Sequence, residues 1–283
     1  MAKNNVIITF SNAKHGDFVI DNWLGSLTAN VDLKDIDVVI LDYGLSEEQL
    51  SKLKEKDVKV IKCECDGHIV VIRFRDISTL LKKSRYKQVM TTDGGDIIFQ
   101  TDISNLFKTD TGALRAAYEG HKLPFDKFTM SYQKSIEENL SEDIKKHTQN
   151  TKMINAGVLI GPRDKFIELC DFCYNNIVDK SKFGPDMVIV NHFLHQNGFK
   201  ELDNIYNFIL YTAKGSFTIK DNKFFDDSGR LIPIVHNAGW ISYMRAISSF
   251  GYGPGHNKIR FVRFHIFRNL VKLLNFIYYR NIN

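Results

Sequence analysis

Gln88-Val-Met-Thr-Thr-Asp93-Gly-Gly-Asp96-Ile-Ile-Phe-Gln-Thr-Asp102 is the stretch on which the fold assignment turns. Val89 to Thr92 is short, apolar and partly β-branched, and it runs into two glycines, which is the pattern of a buried strand. Asp93 and Asp96 then stand at the strand's carboxyl end, where open α/β sheets place their ligands. Gly94 and Gly95 let the backbone turn and approach a bound group closely. Two carboxylates in one tight turn repel unless a cation or a proton lies between them. A divalent metal carrying phosphate oxygens is the candidate, since Mn²⁺ and Mg²⁺ are commonly held by one or two carboxylates plus phosphates. The plain alternative is a polar turn between two strands.

Working outward, Val6-Ile-Ile-Thr-Phe10, Asp37 to Asp42 and Val58 to Lys62 read as three further strands. They alternate with helical segments, from Asp17 to about Leu27 and from Ser46, a capping-box start, to Lys54. This strand–helix rhythm predicts a doubly wound, mostly parallel sheet. Gly112 to Tyr118 reads as another strand. The charged stretch from Glu119 to Lys152 then interrupts the rhythm as an insertion. Met153-Ile-Asn155-Ala-Gly157-Val-Leu-Ile-Gly-Pro162 is an apolar strand carrying one amide. Pro185-Asp186-Met187 opens a helix, where a carboxylate is favoured by capping and by the dipole. Leu231-Ile-Pro-Ile-Val-His236-Asn-Ala-Gly239-Trp240 is a strand ending in an imidazole.

Together these blocks resemble glycosyltransferases of the GT-A fold, in particular the family 8 type of bacterial lipooligosaccharide galactosyltransferases and glycogenin. The resemblance covers the Asp93/Asp96 turn, the Asn155-Ala-Gly157 strand, the Asp186 helix start and the His236-x-x-Gly239 strand end, in the family's order. It implies a Rossmann-like α/β body, residues 1–250, and a metal held by Asp93, Asp96 and His236. It puts Thr9, Phe10, Asn12, Arg75 and Asp93 near the nucleotide, with Arg75 chosen over Arg73 for the diphosphate. Asn155, Gly157 and Asp186 are placed at the sugar, Asn155 and Asp186 serving as the catalytic positions. The implied reaction is transfer of a hexose from a nucleotide sugar, a UDP-sugar first, to a hydroxyl of a glycan or glycolipid acceptor in polysaccharide biosynthesis, with retention. Two departures stand out: an extra residue between the aspartates, which leaves the principal ligand open, and Met187 where many relatives carry Gln. A sugar-phosphate nucleotidyltransferase and a catalytically degenerate glycan- or membrane-binding protein are the rival readings. The first expects more basic residues than Ser11 to Gly16 supply.

The chain has 283 residues, 43% hydrophobic and 25% charged, and a formal net charge of +5. All the excess is terminal. After Asp227 there is no acidic residue, and the body before it holds 30 Lys and Arg against 33 Asp and Glu. Residues 251–283 therefore read as a basic, amphipathic tail. Phe267, Leu270, Val271, Leu274 and Ile277 form its apolar stripe, and Arg268 and Lys272 lie off it. Such a helix suits an anionic membrane surface, or else packs on the body. No nucleic-acid fold signature accompanies the charge. The amino terminus reads as lacking a secretory signal, and Cys63, Cys65, Cys170 and Cys173 make no disulfide framework. A cytoplasmic protein, peripheral on the inner face of the membrane, is the expectation.

Overall fold

A computed structural model describes residues 3–120, 132–148, 151–213, 215–239, 245, 247–258 and 261–280. Among them, β1 (Asn5–Ser11), β2 (Ile36–Asp42), β3 (Lys59–Lys62) and β4 (Gln88–Thr92) form the parallel part of a seven-stranded sheet. A short β5 (Ile97–Phe99) leaves it. β6 (Arg115–Tyr118), β7 (Ile154–Pro162) and β8 (Lys200–Glu201) complete it, in the order β3-β2-β1-β4-β7-β6-β8. β7 runs antiparallel to both β4 and β6. The molecule is thus a mixed α/β protein whose large, mostly parallel sheet is flanked by helices.

The sheet separates two apolar clusters. Alternate residues of β1 face opposite ways, as the strand period requires. Ile8 and Phe10 pack with Val71, Ile72 and Phe74 of the helix Ile69–Lys82, while Ile7 packs with Trp23, Leu24 and Leu27 on the other side. The helix Arg163–Asn176 buries Cys170 and Cys173 in the first cluster, which accounts for the Cys-x-x-Cys pair as core. On the second side, Trp23 sends its indole N–H to Thr92 Oγ1 at 2.9 Å. That bond fixes the last residue of β4, one place before Asp93.

The first helix starts earlier than the sequence expectation. The first helical segment begins at Ala13, with Asn12 as its cap: the Asn12 side chain accepts the Lys14 N–H. It continues through a π-helical stretch, Val19–Leu24, and on to Asn30, with Asp17 inside it. Asn is as good a cap as Asp, and Gly16 is tolerated there because the Gln49 side chain occupies the space a Cβ would need. The helix that carries Arg73 and Arg75 begins at Ile69, after His68. Ser46 and Gln49 do form the capping box of the helix Glu47–Lys54.

A second, three-stranded sheet joins β5 to β9 (Phe208–Ile209) and to β12 (Ile234–His236). The hairpin of β10 (Phe217–Lys220) and β11 (Lys223–Asp226) stands beside it. β12 pairs antiparallel with β5, His236 opposite Ile97, and parallel with β9. A third apolar cluster, including Ile98, Phe208, Phe224, Val235 and Phe250, holds this unit together.

The terminal helix spans Phe261–Arg280. The periodicity puts Arg268 off the apolar stripe. In the structure Arg268 is buried and donates to the carbonyls of Ala213 and Gly215. Ile266, Leu270, Leu273, Leu274 and Ile277 are exposed, from 48% to 65%. No helix among the described residues is long and apolar enough to cross a membrane.

Candidate metal centre

Three segments distant in the chain meet at the carboxyl end of β4. The β5–β12 ladder ends at the Ile97–His236 pair, so His236 arrives beside Asp96. The Asn237 N–H closes the end of the ladder on the Asp96 carbonyl at 2.8 Å. Asp93 is held from the other side, its N–H donating to the Gly157 carbonyl at 3.0 Å. Gly94 is required by the closeness of β1, because a Cβ there would lie 2.7 Å from Thr9 Oγ1 and 2.9 Å from the Phe10 carbonyl.

The resulting group is Asp93, Asp96 and His236, with one ligand atom from each all within 4.8 Å of one another. His236 Nε2 is 3.3 Å from Asp96 Oδ1 and 3.8 Å from Asp93 Oδ2. Asp96 Oδ1 and His236 Nε2 are both buried, and neither makes a hydrogen bond among the described residues. Buried polar atoms left in this state are costly, and a cation accepting both is the economical explanation. Two carboxylate oxygens and an imidazole nitrogen also suit a divalent ion such as Mn²⁺, whose remaining positions would go to ligand oxygens. The residues present fit a metal.

The electrostatics agree. Burial works against a charged imidazole, but Asp96 and then Asp93 outweigh it and raise the pKa of His236. Burial likewise opposes the Asp96 carboxylate, and His236 and Arg245 overcome it, so its pKa is lowered. The carboxylate is ready to ligate, and the imidazole gives up a proton when it does.

The centre opens into a cleft of about 700 Å³, a volume suited to a ligand of nucleotide-sugar size. Phe10, Asn12, Asp93, Asn155, Gly157 and Asp186, all singled out in the sequence, line it together with Asp96 and His236. Thr9 and Arg75 do not. Thr9 is fully buried and bonds the Thr92 carbonyl, so it ties β1 to β4. The Arg75 guanidinium is taken up by Asp66, Asp76 and the Glu64 carbonyl. Arg73 occupies the cleft instead. It reaches Asp93 at 3.0 Å and Asp186 at 3.3 Å, with its guanidinium 4.5 Å from the centre of the Phe10 ring. Two positions apart on a helix is about 200° of rotation, so only one of the two arginines can face the ligand.

Asp186 is buried beside Arg73, its Oδ1 without a hydrogen bond among the described residues. Burial pushes its carboxyl up to about 6, against the pull of Arg73. Asn155 and Gly157 also have partners within the protein. The Asn155 amide is occupied by Glu119, by the Gly157 N–H and by Asn207. A Cβ on Gly157 would sit 2.4 Å from His236 Cε1, so the space it leaves is filled by the imidazole rather than kept for a sugar ring. His15, Glu119, Tyr211 and Arg245 also line the cleft, and no motif had marked them. Trp240 and much of the Glu119–Lys152 insertion lie outside the described residues. His192, near Asp143, and His195, on the Lys152 carbonyl, stand apart from the centre.

No protein-family model matches the chain, and no curated protein matches it at a significant level. The functional reading therefore rests on the residues themselves.

Gly157→Ala is expected to displace His236 and weaken Mn²⁺ binding at least ~10-fold, the scale seen when a ligand's support is disturbed. The strand stays buried and the protein folded. Titration calorimetry with Mn²⁺, checked by circular dichroism, reads this; unchanged affinity would mean that the ring does not need that space.

Proposed function

We propose that the protein is a metal-dependent glycosyltransferase of the GT-A type, moving a hexose from a nucleotide sugar, a UDP-sugar first, to a hydroxyl acceptor on a glycan or glycolipid. The observation that carries this reading is the Asp93–Asp96–His236 group at the floor of a cleft at the carboxyl end of the central sheet. The order of the blocks that resemble family 8 supports it. Asp93, Asp96 and His236 would hold Mn²⁺ or Mg²⁺, which when bound supplies positive charge for the leaving diphosphate. The chain's own contribution is positioning and electrostatics. Arg73 and Arg245 bring fixed cations to the cleft. Phe10 gives a flat wall under the Arg73 guanidinium. Asp186, with one carboxylate oxygen unengaged, is placed to accept a hydrogen bond from a sugar or acceptor hydroxyl. Asn155 holds Glu119 and Asn207 in place rather than presenting a free amide. Retention follows only from the family resemblance, and Met187 offers no oxygen or nitrogen that could serve as nucleophile.

The terminal helix extends the proposal to location. Its exposed Ile266, Leu270, Leu273, Leu274 and Ile277, with Lys272 among them, fit insertion at the interface of an anionic membrane, where a lipid-linked acceptor lies. Arg268 keeps the helix on the body while that face points outward. A protein on the inner face of the membrane is the corresponding location.

Two measurements test this. Asp96→Ala should reduce Mn²⁺-dependent hydrolysis of UDP-hexoses by ~100-fold or more, since it removes a ligand for the charge-neutralising ion; wild-type rates in the variant would remove the aspartate from the mechanism. The triple substitution Leu270→Glu, Leu274→Glu, Ile277→Glu should abolish sedimentation with phosphatidylglycerol vesicles while leaving UDP-hexose hydrolysis unaltered. Continued sedimentation would assign membrane contact to another surface.

A further inference from the structure

Behind His236 runs a chain of buried side chains outside the metal group itself. His236 Nδ1, on the side away from the aspartates, lies 2.9 Å from Asn207 Oδ1. Asn207 Nδ2 donates to Asn155 Oδ1 at 3.0 Å. Asn155 Oδ1 also accepts the Gly157 backbone N–H at 2.9 Å, and Asn155 Nδ2 donates to Glu119 Oε1 at 2.8 Å. Thr212 completes the line by donating to Glu119 Oε2 at 2.7 Å. Asn155, Glu119, Asn207 and His236 are each less than one-tenth exposed, and Thr212 is fully buried.

The direction of every bond in this chain is fixed at one point. A backbone N–H can only donate. The Gly157 N–H therefore makes the facing atom of Asn155 its oxygen. That oxygen must then accept from Asn207, so the atom of Asn207 facing it is nitrogen. Asn207 is left presenting its oxygen to His236, and an amide oxygen can only accept. The His236 Nδ1 must carry a hydrogen.

We infer that Asn207 is a positioning residue that fixes the tautomer of His236, holding a proton on Nδ1 so that the Nε2 lone pair is aimed at the site between Asp93 and Asp96. This rests on the metal reading of that group. The position of Asn207 is set by the fold: it ends the short Asn204–Asn207 turn, immediately before β9, which pairs with β12 so that Ile209 lies opposite His236. Without Asn207 the ring is free to keep its proton on Nε2. The two aspartates favour that state, because a ring N–H there can point at Asp96 Oδ1, 3.3 Å away. A metal would first have to displace that hydrogen. The outer partner of a ligating histidine typically changes metal affinity 10–100-fold when removed. The same chain assigns Asn155 and Glu119 to the support of the metal centre.

The test has two independent readings on the full chain. Long-range proton–nitrogen NMR of the metal-free wild type should show His236 Nδ1 protonated throughout about pH 6 to 9, whatever the state of Nε2. An unprotonated Nδ1 at any pH in that range overturns the inference, whether or not the protein binds metal. Calorimetry with MnCl₂ forms the second reading. Asn207→Leu should raise the Kd ~10–100-fold, and Asn207→Asp, which keeps an acceptor for Nδ1 but loses the donor to Asn155 Oδ1, should raise it less than Asn207→Leu does. Equal loss in both variants, or none in either, contradicts the tautomer role. If wild type binds no Mn²⁺ while Nδ1 is protonated as expected, the metal reading fails and the hydrogen-bond chain stands. Should Asn207→Leu not fold, the wild-type spectrum still decides the matter.

Discussion

The site depends on one short antiparallel ladder. Three residue pairs between β5 and β12 carry His236 back across some 140 residues to the aspartate turn. The backbone bond from Asn237 to the Asp96 carbonyl locks the end of that ladder. Neither strand could hold its place alone, since strands of three residues offer little ladder of their own. They are held by what packs behind them. Ile98, Phe208, Phe224 and Val235 form a small core on the outer side, and Ile97, Phe99 and Ile234 join the second cluster under the main sheet. Apolar burial on both faces of a minor sheet thus brings two carboxylates and an imidazole into contact, although their mutual repulsion and desolvation oppose it.

That opposition has a visible residue. Asp96 Oδ1, His236 Nε2 and Asp186 Oδ1 are buried in the cleft without hydrogen bonds among the described residues. Buried amides elsewhere are paired, as in the bonds of Gln100 to Phe224 and Ile232 or of Asn191 to Ile154 and Met187. Three such atoms gathered in one concave place are what a ligand site leaves when a fold prepares it in advance. Arg73 keeps the arrangement from being untenable. It spans Asp93 and Asp186 with one buried guanidinium, so each acid at the cleft's edge has part of a cation.

The strands and the aspartate turn were legible because their signals are local: apolar runs of strand length, glycines at the turn, a capping box at Ser46. Five assignments were not, each for a physical reason. Arg73 and Arg75 could be ranked only with the helix's true start at Ile69, since a shift of a few residues rotates the facing side by more than a right angle. Thr9 lies in a strand buried on both faces, where alternation says nothing about which way a side chain points. Gly157 announces empty space, but what fills it, the His236 ring, comes from 79 positions further along the chain. Asn207 sits in an irregular turn with no periodicity, and only the β9–β12 pairing gives it meaning. Arg268 reverses the usual rule that a cation on an amphipathic helix faces water, because the carbonyls of Ala213 and Gly215 lie in its reach. The metal group itself was readable as three separate blocks, and its convergence is a property of the tertiary structure.

The most direct test is a crystal of the protein soaked in MnCl₂ and UDP, measured on both sides of the manganese absorption edge. The account predicts one strong anomalous peak about 2.0–2.3 Å from an oxygen of Asp93, an oxygen of Asp96 and Nε2 of His236, with a diphosphate beside it. A manganese peak elsewhere on the molecule, or a diphosphate bound with no metal at these three side chains, would contradict it.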